Sequence, residues 1–332
     1  MKNYLKNKKN RPSVVLVGLC LALLCCMPMV SSDPYLIHVV LLCMLYSCLT
    51  SAWNLIAGFA GVFNFGFQAL FGVGAYVSAL TVMKLGISPW IGIFLGAICA
   101  MILSTIIATP CIKLKKIPYI CIATTAMGEI VRLVVKNTPN LTRGEQGLIG
   151  IPELFPSGLA IHYYYFVFVL FIIVIGAMML IVYSPMGMSL SAIKGSQDAA
   201  DSLGINVPGM KIKIYMIGAF IAGLVGGVYA HYIGVLTPST VLVGTFMTQI
   251  VAMALLGGLG TIVGPIIGSF IITGSLELLR EFADYRMVAY ALMIIITIIF
   301  LRQGLWGSLR GYVFKLLEKL SGVKKEAVES EK

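Results

Sequence analysis

Sixty-three consecutive residues between Lys213 and Glu277 carry no charged side chain. Three further gaps, of 50, 28 and 40 residues, separate Asp33 from Lys84, Lys84 from Lys113, and Glu153 from Lys194. At about 20 residues per crossing of the hydrocarbon layer, each gap has room for one or more membrane spans. A soluble domain carries about 25% charged residues, whereas this chain of 332 has 11% charged and 59% hydrophobic side chains. Water-solubility is excluded. Transmembrane strands alternate apolar and polar residues while these runs are apolar on every side, so the sequence predicts an all-α polytopic bundle and not a barrel.

The spans fall roughly at 13–31, 36–57, 63–83, 90–109, 118–135, 163–183, 213–233, 244–257, 264–280 and 286–301, about ten in all. Eight remain if two glycine-rich stretches do not cross. With a basic tail at 1–12 and a second tail at 302–332 both inside, the inner segments hold 18 of the 24 Lys and Arg, which selects an N-in, C-in orientation. The basic N-terminus ahead of an apolar run imitates a signal peptide, but Leu24 precedes Cys25 and Leu19 precedes Cys20. That leaves neither a cleavage site nor a lipobox, so an uncleaved first span is expected. The net charge of +11 belongs to topology and lipid headgroups, and no nucleic acid is implied. The eight cysteines form no CxxC pair and stand without histidines at ligand spacing. They read as small packing residues, with no metal or cofactor.

The two glycine-rich stretches are Asn54 to Tyr76 and Leu256 to Gly268. Each is expected to break or re-enter the membrane. Interrupted spans at comparable places in two halves of a chain point to a translocation pathway; close small-residue helix packing explains glycines equally well. The pathway candidates are Asn54, Gly61, Asn64, Gln68, Gly257, Gly258 and Gly260. Asn64 and Gln68 share a face if their segment is helical. Glu129 and Arg132, three apart, are expected to pair on one face near the outer interface. His38 and His231 fall near outer ends.

Enzyme chemistry does not emerge. The chain has no Gly-Lys dipeptide and hence no phosphate-binding loop of the Walker type, nor does it contain GxSxG or HExxH. Any energy for active transport has to arrive from a partner. Between the sixth and seventh spans, 184–212 forms an inner loop whose punctuation predicts two short helices: Ser184 with Pro185 starts one, Ser196 with Asp198 starts another, and Gly204 stops it. Gly187, Ala192, Asp198, Ala199, Ala200 and Gly204 make it a candidate docking surface. Gly187 and Ala200 lie outside the expected spans, so substitution there is expected to leave the fold intact.

With this loop, the segments Trp53 to Gly61, Phe71 to Tyr76, Gly128 to Arg132, Gly147 to Pro152, Ala222 to His231 and Leu255 to Pro265 together resemble the permeases of branched-chain amino-acid ATP-binding-cassette importers, specifically the M-type (LivM-like) subunit. The resemblance covers roughly residues 35–310 and keeps the family's motif order. It implies an ATP-binding-cassette importer permease fold, a multi-pass place in a prokaryotic cell membrane, a second H-type (LivH-like) permease, two ATPase subunits and an external substrate-binding protein. The loop then corresponds to the helix that couples permease to ATPase. The sequence departs at Asn64 to Gln68, where relatives have a Ser-Leu-Gly-His-like stretch, which opens the substrate to other small solutes such as urea, amides or sugars. From a different class, a self-sufficient secondary transporter or channel would share the composition.

Overall fold

The computed structural model describes residues 24–28, 33–113, 117–155, 160–279, 288, 291–292, 295 and 304–307. Most of the first and last expected spans, and both tails, lie outside the described residues. Eight long helices follow one another at the positions of the second to ninth expected spans. They are α1 (Pro34–Asn54), α2 (Phe67–Leu85), α3 (Pro89–Lys113), α4 (Ile117–Lys136), then, after a short α5 (Pro139–Thr142) and a two-residue β1 (Leu148–Ile149), α6 (Ala160–Val182). The loop after α6 supplies α7 (Pro185–Gly195) and α8 (Gln197–Ser202). The series ends with α9 (Val207–Ile233), β2 (Val235–Leu236), α10 (Pro238–Val241), α11 (Gly244–Gly257) and α12 (Val263–Leu278). Among the described residues, seven helical segments are long and apolar enough to cross a membrane, and Val263–Leu278 is a shorter apolar one.

Helix ends follow local chemistry. Asp33 caps α1 by accepting from the Tyr35 N–H at 3.0 Å, with Pro34 in the first turn. Asn206 caps α9 through the Gly209 N–H at 2.9 Å, and left-handed Gly234 ends it. One boundary corrects the sequence reading: α3 does not stop before Pro110 but continues to Lys113. A proline near a helix end leaves few carbonyls without a donor, and a membrane helix has no competing water to exploit the gap.

Polar contacts sort the helix ends into two levels. At one, Tyr35 donates to the Glu277 carbonyl at 2.9 Å, Lys84 to the Asn140 carbonyl at 3.1 Å, and β1 pairs antiparallel with β2. At the other lie the ends of α1, α6 and α11, the helices α7 and α8, and the start of α12. The bundle is built around α9, which packs on α2 and α3. A Cβ on Gly223 would stand 2.7 Å from the Ala97 Cα, and one on Gly74 would fall on the Gly223 backbone. Backbones touch here because nothing intervenes, and that is small-residue packing. On the other flank α1 meets α12 through a Ser47–Ser269 hydroxyl hydrogen bond.

His231 is fully buried, not interfacial. Its Nε2 lies 2.9 Å from the Ser78 hydroxyl and its Nδ1 2.7 Å from the Pro152 carbonyl. Those partners satisfy both ring nitrogens, which is what lets the ring sit among helices without an exposed polar edge.

Candidate functional site: two broken helices joined at one level

After Asn54 the backbone widens into a π-helical turn, Leu55–Phe59, and residues 60–66 are not helical before α2 starts. Gly61 takes φ 68°, a left-handed conformation that a side chain strains. A second break follows α11, where Gly258 and Gly260 adopt φ 117° and 75°. Thr261 then closes the loop: its hydroxyl donates to the Gly258 carbonyl at 2.8 Å and accepts from the Gly264 N–H at 3.1 Å. Gly257 is buried, and a Cβ there would collide with the Gly264 carbonyl.

Asn54 joins the two breaks. It is fully buried, its Oδ1 accepts from the Gly260 N–H at 2.9 Å, and its Nδ2 donates to the Thr261 carbonyl at 2.8 Å. One amide side chain thereby satisfies two backbone groups that the broken helix leaves without ladder partners. Gly58 makes room for the arrangement, since a Cβ on it would stand 2.5 Å from the Gly260 nitrogen.

Lys194, in the last turn of α7, reaches the same place. Its amine donates to the Gly58 carbonyl at 2.6 Å, and a Cβ on Gly61 would lie 3.3 Å from the Lys194 Cγ. Sequence reasoning read this lysine as a topology charge, and nothing in its spacing distinguishes it from the other inner lysines. The same holds for Lys211, 1% exposed, whose amine donates to the Gln197 Oε1 at 2.8 Å and so ties the start of α8 to α9.

Asn64 and Gln68 do not share a helical face, because α2 begins only at Phe67. Asn64 instead folds its Oδ1 onto the Gly66 N–H at 2.9 Å, and its carbonyl accepts from the Trp53 indole at 2.7 Å. This is the short-range competition of an Asn side chain with helical hydrogen bonding. The unwound strand runs along α4, with the Phe65 N–H donating to the Thr124 hydroxyl at 3.1 Å. Gln68 is buried against Gly128, and its Oε1 accepts no hydrogen bond. An open groove of about 460 Å³ lies alongside, lined by Phe65, Cys121, Ile122, Thr125 and Ala126. Further along α4 the Arg132 guanidinium donates to Glu129 through Nε at 2.8 Å and Nη2 at 2.5 Å.

The loop between α6 and α9 is a helical hairpin, with Ser184 capping α7 at the Met186 N–H and Ser196 capping α8 at the Ala199 N–H. Ala192, Asp198, Ala199 and Gly204 are exposed on it, beside Met188 and Leu203 at 68% and 79% exposure. Gly187 and Ala200 are not on that surface. A Cβ on Gly187 already meets the Val182 carbonyl, and Ala200 packs with Ile193 and Val207. Both hold the hairpin together, so the expectation that they tolerate substitution is corrected.

The family described as the branched-chain amino acid transport system permease component matches residues 35–301. The permease protein LivM of the high-affinity branched-chain amino acid transport system of Escherichia coli (strain K12) is 25% identical over 81% of this chain and 69% of its own length. The permease protein LivH of the same kind of system in Salmonella typhimurium (strain LT2) is 26% identical over 76% of this chain and 89% of its own. The ribose import permease RbsC of Haemophilus influenzae is 29% identical over 35% of this chain and 38% of its own. No solved structure matches. With a family match running through every described long helix, from α1 to α12, the chain belongs to the family of branched-chain amino acid transport system permease components.

Proposed function

We propose that this chain is the M-type permease of an ATP-binding-cassette importer that carries branched-chain or other small neutral amino acids inward. A second, LivH-like permease shares the pathway, two ATPase subunits supply the energy, and an external binding protein delivers the solute. The membrane is the prokaryotic cell membrane, and the hairpin level is cytoplasmic. The observation that carries this reading is the hairpin itself: a capped, protruding pair of helices hydrogen-bonded by Lys194 to the first broken span, which Asn54 clasps to the second, so that a partner's motion can be received there.

The wall of the pathway follows from which spans suit lipid. The outer faces of α3 and α6 expose Ile91, Phe94, Ile102, Ile106, Val169, Ile172 and Ile173, as lipid contact requires. Helix α4 exposes apolar side chains too, Ile122, Ile130 and Val134 among them, but unlike α3 and α6 it also leaves the half-exposed Glu129–Arg132 ion pair uncovered. Charged groups at membrane depth face protein or water. We place α4, with the unwound strand behind it, against the pathway and the second permease.

Reconstitution in liposomes tests the assignment. Uptake of leucine, isoleucine or valine is expected only with the second permease, both ATPases, the binding protein and ATP present. Flux through this chain alone would instead establish a self-sufficient carrier or channel, and uptake of urea, an amide or a sugar with amino acids excluded would move the substrate elsewhere in the fold.

A further inference from the structure

We infer that Lys194 is the positioning residue through which movement of the cytoplasmic hairpin reaches both broken helices. The inference rests on the importer reading above. Its physical basis is the convergence of two backbone segments, one from each break, on one amine carried by α7. The Lys194 Nζ donates to the Gly58 carbonyl at 2.6 Å, and a Cβ on Gly260 would stand 3.1 Å from that same carbonyl and 3.2 Å from the amine. The ammonium therefore sits at the seam where the π-helical turn of the first break meets the loop of the second. The carbonyl it binds lies at the C-terminal end of a helical run, where the partial negative charge favours a cation.

From that seam the link continues without a gap. Gly58 abuts Asn54 and Gly260, Asn54 holds the Gly260 N–H and the Thr261 carbonyl, and the Thr261 hydroxyl accepts from the Gly264 N–H at the start of α12. A shift of α7 thus pulls on α1, α11 and α12 together. The glycines make these segments compliant, so the shift is taken up by backbone rotation there and not by unpacking of the α2, α3 and α9 core. Helix α7 is otherwise joined to the membrane by its chain connection to α6 and by packing on the first break and on α9. Neither contact grips the second break.

The assembled importer, with ATPases, binding protein and solute, tests this by the amount of ATP hydrolysed per solute molecule carried. Lys194→Met is expected to lower uptake about tenfold while hydrolysis continues, raising that ratio by a similar factor. Lys194→Arg, which keeps a cationic donor of similar reach, is expected to stay within about twofold of the unmodified ratio. Lys213→Met, which removes an exposed charge at the same level, controls for charge alone and is expected to match the unmodified protein. If Lys194→Met does not assemble, Lys194→Gln gives the same readout with a polar side chain too short to reach Gly58. An unchanged ratio in an assembled Met or Gln variant overturns the inference while leaving the importer reading intact. Arg as damaging as Met overturns it too. Absence of ATP-dependent uptake in the unmodified importer overturns the importer reading, and this inference with it.

Discussion

Asn54 accepts the Gly260 N–H at 2.9 Å across a sequence separation of 206 residues, and returns a hydrogen bond to Thr261 at 2.8 Å. The two glycine-rich stretches are thus one structure, clasped by a single amide. The clasp explains why a carboxamide, and not a carboxylate, stands at membrane depth: both a donor and an acceptor are needed, and neither may carry charge.

Replacing that amide separates its two roles. Asn54→Leu removes both hydrogen bonds and leaves the Gly260 N–H and Thr261 carbonyl without that partner, at about 1–3 kcal/mol for each buried group. Asn54→Asp keeps the acceptor but sets an anion against the Thr261 carbonyl. Thermal unfolding in detergent is expected to place both variants below the unmodified chain, with uptake lost in each. Full stability of Asn54→Leu would show that the clasp is incidental.

Glycine substitutions distinguish strained positions from spacious ones. Gly258 at φ 117° and Gly61 at φ 68° both resist side chains, whereas Gly176 in α6 is helical with nothing within 4 Å of its missing Cβ. Gly258→Leu and Gly61→Leu are expected to reduce uptake strongly, Leu at the exposed Ile173 hardly at all, and Gly176→Ala to be neutral or stabilising by up to about 1 kcal/mol. Equal loss at all of these positions would reduce the breaks to generic packing.

What the sequence made legible here, and what it did not, divides along physical lines. The charge-free gaps hold all or most of seven of the eight long described helices, because hydrocarbon imposes composition on the residues that touch it; α4, with Glu129, Arg132 and Lys136, lies outside them. Glycine content marked both breaks, since few other residues tolerate φ near +70°. The join between them was invisible, because no local pattern records that residue 54 meets residue 260. The contacts of Lys194 and Lys211 were invisible for a related reason: a lysine that snorkels to a membrane surface and one that donates to a nearby polar group have the same neighbours in sequence. Ala200 and Gly187 were placed on the docking surface because small residues suit both a close partner and a tight internal turn, and only three dimensions tell these apart.

Sidedness has its own test. With native cysteines removed, a cysteine at Ile149, 57% exposed beside the β1–β2 pair, is expected to react with an impermeant maleimide added outside intact cells. One at Leu203, 79% exposed on the hairpin, is expected to react only after permeabilisation. The reverse pattern would turn the whole bundle over, and would put the hairpin out of reach of a cytoplasmic ATPase.

Neighbouring alanines on the hairpin give the sharpest test of docking. Ala199 is exposed, whereas Ala200 is 2% exposed and packs with Ile193 and Val207. Arginine at 199 projects from the surface, so Ala199→Arg is expected to leave stability within about 0.5 kcal/mol while obstructing a partner that approaches small residues closely. Arginine at 200 has to push α8 off α9 or bury its charge, at a cost of several kcal/mol. Co-purification of the ATPase subunits should therefore be lost in both variants, but thermal unfolding and protease resistance of the hairpin should change only in Ala200→Arg. A stable Ala199→Arg protein that still retains its ATPases and normal uptake would move the coupling contact off this face of the hairpin, because a bulky cation at an exposed position of a true docking surface cannot be accommodated without displacing the partner.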